Sequence, residues 1–217
     1  MPLELPTPTD AELARQTQAG SLPAFEELVY RYEHRVYAFV SQFCRNATDA
    51  REITQDTFVK AAQSIAQFDT HREFAPWLFT IARHQWIDRQ RAAPPLADTP
   101  PPEIAEEIHP GELLAQEEDR QQLWRLARAV LTENQFQALW LYYAEEMAVP
   151  HIARVLGKTR VHVKVLLFRA RQTLGRHLNS AGTLAQAIPA AKLPSTPLNR
   201  SLMRRFVGGK IAPAKTP

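Results

Sequence analysis

The chain is poor in the residues that hold many small or secreted folds together. Its 217 residues include one cysteine, Cys44, and only 7 glycines. A single thiol cannot form an internal disulfide, so nothing in the sequence requires an oxidising compartment. The few glycines, together with scattered Leu, Ala, Gln and Arg, favour helices over a turn-rich β-sandwich. We therefore expect an all-α protein.

Long hydrophobic runs are absent as well. The sequence contains no run of about 18 apolar residues, which is the length that a membrane span requires. Residues 1–10 contain two acids and no base, unlike a secretion signal. We therefore expect no membrane span and a cytoplasmic location. The apolar residues, 45% of the chain, suffice for the cores of one large or two small domains.

Two long segments each lack charged residues of one sign. Residues 93–119 contain 8 acidic and no basic residues, whereas residues 179–217 contain 6 basic and no acidic residues. The net charge is −2 over residues 1–92 and +7 over residues 120–178, so the total of +3 hides a strong asymmetry. An acidic middle and a basic carboxyl half suggest a nucleic-acid partner.

Proline and charge together predict the domain organisation. Six prolines fall within seventeen residues of the acidic segment. Proline fixes φ and neighbouring carboxylates repel one another, so we expect an extended acidic linker over residues 93–119. It joins a helical domain at residues 9–92 to a second at residues 120–178. Residues 179–217 are expected to form a flexible, proline-rich basic tail.

The first domain shows helix caps and helical periodicity. Thr9 or Asp10 is expected to cap a first helix that Gly20 ends, and Ser21 to begin a second. Asp49 opens a third helix with capping-box spacing, and a fourth is expected over residues 76–91. In the second helix, apolar residues recur at spacings of three and four. The apolar positions expected in the third are Ile53, Phe58, Val59, Ala62 and Ile65.

The second domain ends in a helix-turn-helix pattern. A helix over residues 112–130 precedes one that Thr132 and Gln135 open as a capping box. A short helix at residues 150–156, a break at Gly157 and a final helix then follow. A small residue permits close helix crossing, glycine permits the sharp turn, and apolar residues anchor both helices. The pattern rests on Ile152, Ala153, Leu156, Gly157, Val163 and Leu166.

Basic residues cluster on the last helix. An α-helix fits the major groove of DNA, where cations reach phosphates and guanine acceptors. A solvated basic face on a helical hairpin is the alternative, but the basic residues coincide with the turn pattern, so we favour DNA binding. The candidates are Arg160, His162, Lys164, Arg169, Arg171 and Arg176.

The fourth helix of the first domain mixes aromatic and basic residues. Aromatic rings stack on unpaired bases while adjacent cations hold the backbone. Packing of the bundle is the alternative, and we prefer it for Trp77 and Ile81. The choice between base contact and packing stays open for Phe74, Arg83, His84 and Arg89.

Polar residues on the third helix, Glu52, Gln55 and Asp56, form either a docking face or a solvated polar face. Catalytic patterns are scarce, because the seven histidines lack metal-ligand spacing and neither a P-loop nor a nucleophile elbow is present. We therefore expect no enzyme activity, cofactor, metal or small-molecule substrate.

These motifs, in this order around an acidic linker, resemble one family, the extracytoplasmic-function (ECF) sigma factors of bacterial RNA polymerase. Residues 24–28, 49–58 and 74–88 look like the sigma-two domain, and residues 132–174 look like the sigma-four domain. The resemblance implies a protein without catalysis of its own that binds core RNA polymerase and promoter DNA. An anti-sigma factor is a further candidate partner. A stand-alone helix-turn-helix regulator is the alternative.

The resemblance also implies residue roles. Glu52, Gln55 and Asp56 would dock on the clamp helices of the largest polymerase subunit. Phe74, Arg83, His84 and Arg89 would melt the minus-ten element and capture a flipped base, with His84 where relatives often have Asn. Arg160, His162, Lys164, Arg169 and Arg171 would read the minus-thirty-five element. Val165-Leu166 replaces a common Ser-Arg pair, which removes two polar contacts, so promoter preference is expected to differ.

Overall fold

A computed structural model describes residues 7–44, 46–92 and 114–180, with side chains over residues 121–178 in the last range. The described residues form eight α-helices, a short 3₁₀ turn and no strand, which confirms the predicted all-α class. The helices are α1 (Asp10–Gln18), α2 (Leu22–Ser41), α3 (Ala47–Ser64), α4 (Phe74–Ala92), α5 (Leu114–Val130), α6 (Glu133–Tyr143), α7 (Val149–Leu156) and α8 (Arg160–Ser180).

The contacts divide the chain into two compact units. Helices α1 to α4 belong to the first unit together with residues 150–158, and α5, α6 and α8 belong to the second. Residues 93–113 of the predicted linker and residues 181–217 of the predicted tail lie outside the described residues. Residues 114–119 belong to α5 and residues 179–180 to α8, so at these positions the predicted linker and tail are wrong, because the chain is already helical. Among the helices that are described, none is both long and apolar enough to cross a membrane.

The first two helix starts are those that the sequence predicts. The Thr9 hydroxyl accepts a hydrogen bond from Glu12 N–H, while the Glu12 carboxylate accepts one from Thr9 N–H at 2.7 Å. This reciprocal pair lowers the pKa of Glu12, chiefly through the Thr9 backbone bond. Gly20 follows α1 with φ of 95°, a left-handed conformation that glycine adopts without strain. Ser21 caps α2, with Pro23 in its first turn.

Helix α3 starts earlier than predicted. Its N-cap is Asn46, whose side-chain oxygen accepts a hydrogen bond from Asp49 N–H at 2.7 Å. The predicted capping box of Asp49 and Glu52 is therefore wrong, because Asp49 already lies inside the first turn. Asn46 and Asp49 are both good caps, and their spacing alone does not decide between them.

The buried side of α3 also differs in part from the prediction. Ile53 and Phe58 are buried as expected, but Val59 is 56% exposed and faces solvent. Thr54 and Thr57 are buried instead, and each hydroxyl donates to the carbonyl oxygen four residues earlier, at 2.8 and 2.7 Å. A buried threonine satisfies its hydroxyl in this way, so it serves as a core residue.

The core of the first unit lies where α2 contacts α3 and α4. Phe39 and Phe79 meet at the centre, edge to face, with ring centroids 5.3 Å apart. Both are essentially unexposed, and burial of side chains this size is a main source of stability. Cys44 is buried as well.

In the second unit, α8 packs against α5 and α6. The predicted capping box at the start of α6 is present, with Thr132 N–H donating to the Gln135 side chain at 3.0 Å. Trp124 of α5 contacts Phe136 and Trp140 of α6, with centroid distances of 5.8 and 4.8 Å. These rings fix α5 on α6.

The predicted helix-turn-helix segment has the expected succession of elements. Helix α7 ends at Leu156, Gly157 follows with φ of 61°, and α8 begins at Arg160. The Thr159 hydroxyl caps α8 by accepting from His162 N–H at 3.2 Å. The apolar positions of the pattern are all buried, namely Ile152, Ala153, Leu156, Val163 and Leu166.

Candidate nucleic-acid and polymerase interfaces

The structure places Glu52, Gln55 and Asp56 on the solvent side of α3, and we call these three residues the α3 polar face. Ile53 and Phe58 are buried on the other side of the same helix. The α3 polar face is therefore accessible to a protein partner, as the docking prediction needs.

One residue of the α3 polar face has an internal partner. Arg89 of α4 lies between two carboxylates of α3, donating to Glu52 and, at 3.2 Å, to Asp49. The hydrogen bond that Arg89 donates to Glu52 raises the pKa of Arg89, so its guanidinium stays charged. Two predicted sites are thus connected, since Arg89 was a minus-ten candidate and Glu52 a polymerase-docking candidate. Asp56 has no carboxylate-cation pair among the described residues.

Phe74 requires a correction. Its side chain is 2% exposed, and its ring meets Tyr32, Phe68 and Trp77 at centroid distances of 5.4 to 5.6 Å. A ring enclosed by three others has no free face for an unpaired base. Phe74 is therefore a core residue, and its predicted stacking role is wrong for this conformation. Trp77 packs against Phe68 at 4.8 Å, in agreement with its packing interpretation.

The other two minus-ten candidates on α4 lie nearer to solvent. His84 is exposed and Arg83 is half-buried. They follow one another in the chain, so they leave the helix about 100° apart. Trp86, two residues further, is 7% exposed and packs against Phe43. Of the predicted minus-ten set, solvent therefore reaches His84, Arg83 and Arg89, and Arg89 is already paired with acids of α3.

Four of the five residues predicted to read the minus-thirty-five element are exposed: Arg160, His162, Lys164 and Arg169, which we call the α8 basic face. Among the side chains that the structure describes, none of the four forms an ion pair. The sequence itself contains no Asp or Glu between residue 147 and the end of α8. Positive charge on this face is therefore not neutralised along its own helix, which suits binding to phosphates.

Arg171 differs from the α8 basic face. Its Nε–H donates to the Tyr143 hydroxyl at 3.0 Å, and its guanidinium lies 5.4 Å from the centre of the Tyr142 ring. Burial raises the pKa of Tyr143, and the nearby Arg171 opposes that shift. Arg171 therefore attaches α8 to α6, and its contact with the minus-thirty-five element stays a prediction.

The positions that depart from the family pattern also separate in the structure. Leu166 is 7% exposed, so it anchors α8 in the core, whereas Val165 is 40% exposed. Two polar contacts were expected to be lost at these positions. Because only Val165 is on the surface, the structure supports the loss of one. The sequence pattern also left unpredicted that Val161 and Phe168 are exposed, at 71% and 63%. Val161 and Phe168 lie four and three residues from Val165, and this helical spacing was the sequence signal that places all three on one side of α8.

Comparison with protein families gives two matches along this chain. The model of Sigma-70 region 2 matches residues 28–93, and that of Sigma-70, region 4 matches residues 122–174. Together they cover more than half of the 217 residues. The first match contains the α3 polar face and α4, and the second contains the α8 basic face.

Individual relatives agree with the family matches. The ECF RNA polymerase sigma factor BldN of Streptomyces coelicolor is 30% identical over 180 residues, covering 77% of this chain and 65% of that protein. The ECF RNA polymerase sigma-E factor of Escherichia coli (strain K12) is 28% identical, covering 76% and 92%. The structure of CnrH in complex with the cytosolic domain of CnrY matches with a TM-score of 0.59 and 26% identity, covering 79% and 97%.

Proposed function

This chain belongs to the ECF sigma factors of the sigma-70 family, and we propose that it binds core RNA polymerase and directs it to specific promoters. The single observation that carries the proposal is the presence, in one chain, of a region 2 match containing an exposed acidic face and a region 4 match containing an exposed basic face. The polymerase supplies catalysis, and this chain supplies promoter choice.

We assign the contacts from exposure and charge. The α3 polar face is proposed to dock on the polymerase. His84 and Arg83 are proposed to contact the minus-ten element, because solvent reaches both side chains. The α8 basic face is proposed to bind the minus-thirty-five duplex. Arg89 and Arg171 are proposed to act indirectly, by holding α3 to α4 and α6 to α8.

A stand-alone DNA-binding regulator remains the competing function. It explains the α8 basic face but gives no role to the region 2 match at residues 28–93. It also predicts binding to duplex DNA without polymerase. We therefore place it second.

The experiment that separates the two functions combines the purified full chain with core RNA polymerase on fragmented genomic DNA. Sequencing the transcripts should reveal start sites that share an upstream and a minus-ten element and that disappear when the chain is omitted. The regulator function would be favoured if no chain-dependent start appeared while the chain alone bound duplex DNA.

The polymerase-docking assignment has a cleaner probe in Asp56 than in Glu52, because Glu52 also pairs with Arg89. Asp56→Lys should weaken binding to core polymerase about tenfold or more. A polymerase surface that binds an acidic residue is expected to be basic, so the new lysine would be repelled by it. Glu26→Lys makes the same charge change on an exposed position of α2 and is the matched control. Equal core affinity for the two variants, measured by fluorescence anisotropy, would remove the assignment.

Control by a protein partner is part of the same proposal. CnrH was solved together with the cytosolic domain of a second protein, CnrY. We propose that this chain is likewise held by an anti-sigma factor in the cytoplasm. Co-purification from a strain expressing a tagged chain should yield such a partner in a complex that lacks core polymerase.

A further inference from the structure

The exposed side of α8 is not uniformly polar. Val161, Val165 and Phe168 lie on it, and we call them the α8 apolar stripe. At about 100° per residue the three side chains fall within about 60° of one another, on the side of the helix opposite buried Val163 and Ala170. Large apolar side chains in a row on a solvated face indicate a contact that the structure does not contain.

The charges around the α8 apolar stripe indicate its partner. Lys164 and Arg169 flank the stripe on its two sides and are exposed. The absence of any acid between residue 147 and the end of α8 leaves this face positive. The surface complementary to this face carries negative charges with apolar groups recessed between them. The major groove of DNA fits this description, because phosphates border it and each thymine presents a C5-methyl group in it.

The first turns of a recognition helix are the ones that reach base edges. Val161 and Val165 lie in those turns, after the Thr159 cap. They are about 6 Å apart along the axis, at about 1.5 Å per residue, which is close to two base-pair steps. Neither side chain donates or accepts a hydrogen bond, so neither can read a base by polar contacts.

We propose that Val161 and Val165 read thymine methyl groups in the upstream promoter element, so that this chain selects thymine at the base pairs that the two side chains contact. The inference rests on the proposed sigma function, because it needs α8 in the major groove. It assigns specificity to the two valines and leaves phosphate binding to Lys164 and Arg169.

The test uses the full chain with core polymerase and the upstream element that transcript sequencing reveals. Thymines in that element are replaced one at a time by deoxyuridine, which keeps base pairing and removes only the methyl group. For the wild-type chain, removal of a contacted methyl should weaken promoter binding about fourfold, equivalent to ~0.8 kcal/mol for one buried methylene.

The variant Val165→Ala should lose this discrimination at one thymine, and Val161→Ala at another about two base pairs away. Val59→Ala, at an exposed valine of α3, is the matched control and should keep the full discrimination at both. Thermal melting should be unchanged in all three variants, since each position is exposed.

Three results would overturn the inference. Promoters without enriched thymine, or the same deoxyuridine effect in Val165→Ala as in the wild type, would do so while leaving the sigma function intact. If Val165→Ala weakened only the binding of a co-purified protein, the stripe would belong to that protein instead. An absence of chain-dependent transcription would instead remove the proposed function, and the inference with it.

Discussion

Helices α4 and α8 both mix aromatic and basic residues, yet they expose different parts of that mixture to solvent. In α4 the ring of Phe74 is buried and Arg89 is paired with two acids. In α8 the ring of Phe168 is 63% exposed, and Lys164 and Arg169 face solvent. Composition is therefore a poor guide to nucleic-acid contact, and the position of each residue relative to the buried side of its helix is a better one.

The packing of each helix explains the contrast. Helix α4 contacts both α2 and α3, which bury Phe74, Leu78 and Phe79, and Arg89 finds two acids on α3. Helix α8 contacts α5 and α6 through Val163, Ala170, Leu174 and their neighbours, which leaves the opposite side uncovered. Substitutions should therefore affect mainly stability in the enclosed helix and mainly DNA binding in the open one.

The largest effect is expected from Phe74→Ala. Removing a fully buried aromatic side chain should lower the free energy of unfolding by about 3–5 kcal/mol, through lost transfer energy and the cavity left behind. Denaturant titration followed by circular dichroism measures it. His84→Ala, on the exposed side of the same helix, should change stability by less than about 0.5 kcal/mol. A stable Phe74→Ala protein with defective promoter opening would restore the stacking role that we reject.

The open helix should show the reverse behaviour. Lys164→Ala combined with Arg169→Ala should leave the melting temperature unchanged and weaken binding to the upstream duplex about 100-fold or more, because a hydrogen bond to a charged group contributes ~1.5–3 kcal/mol. The slope of log affinity against log salt should also fall by about one for each phosphate that is no longer neutralised. Lys60→Ala, an exposed lysine of α3, is the control for removal of a charge. Unchanged affinity and salt slope in the double variant would mean a solvated basic face.

Sequence patterns predicted the local features of both helices better than their distant contacts. The caps at Thr9, Ser21 and Thr132 depend on residues three positions apart, so they are visible in the sequence. The start of α3 was mispredicted, because Asn46 and Asp49 offer the same local signal. Arg89 finds its acids 37 and 40 residues away, and no local pattern contains that information.

The same limit applies to the candidate sites. The α8 basic face was predictable because the helical period and the buried anchors fix which side is outside. Phe74 was not, since its burial depends also on Tyr32 of α2 and on Phe68, which come from other segments of the chain. Aromatic residues beside cations suit a binding surface and a core equally, and only the tertiary packing separates the two.

The aromatic cluster around Phe74 also predicts a response to alkaline pH. The Tyr32 hydroxyl donates to Asp10, and burial, reinforced by this acid, raises the pKa of Tyr32 well above its ordinary value of about 10. Because the pKa of Tyr32 is higher in the folded protein than in the unfolded chain, its protonated hydroxyl contributes stability that is fully present below pH 10. That contribution is lost as the pH rises toward the folded-state pKa.

The stability of the wild type should therefore fall between pH 10 and 12 more steeply than that of Tyr32→Phe, by at most ~1.4 kcal/mol per pH unit. Urea titrations of both proteins at several pH values measure the difference. Tyr143 has a raised pKa as well, but it is common to the two proteins and cancels. Parallel curves would mean that Tyr32 ionises as freely in the folded protein as in the unfolded chain.

The smallest effect on stability is expected from substitution of Arg89. The same substitution tests how the predicted polymerase-docking and minus-ten sites of the first unit are related. The guanidinium and both its acids are about one third to one half exposed, so solvent screens their attraction. Arg89→Ala should cost less than about 1 kcal/mol of stability, and less still in high salt. Arg91→Ala, whose contact with Asp88 is 3.6 Å long and more exposed, should cost nothing measurable.

If Arg89 acts only through α3, its removal should weaken core-polymerase binding by freeing Glu52, while the complexes that still form open promoters at the normal rate. A contact between Arg89 and DNA would give the opposite result, normal core binding with slow opening. Permanganate reactivity of the minus-ten thymines, measured at saturating core polymerase, separates these outcomes. In the structure the guanidinium already has two acid partners, so any DNA contact would have to displace at least one of them, and we therefore expect the first result.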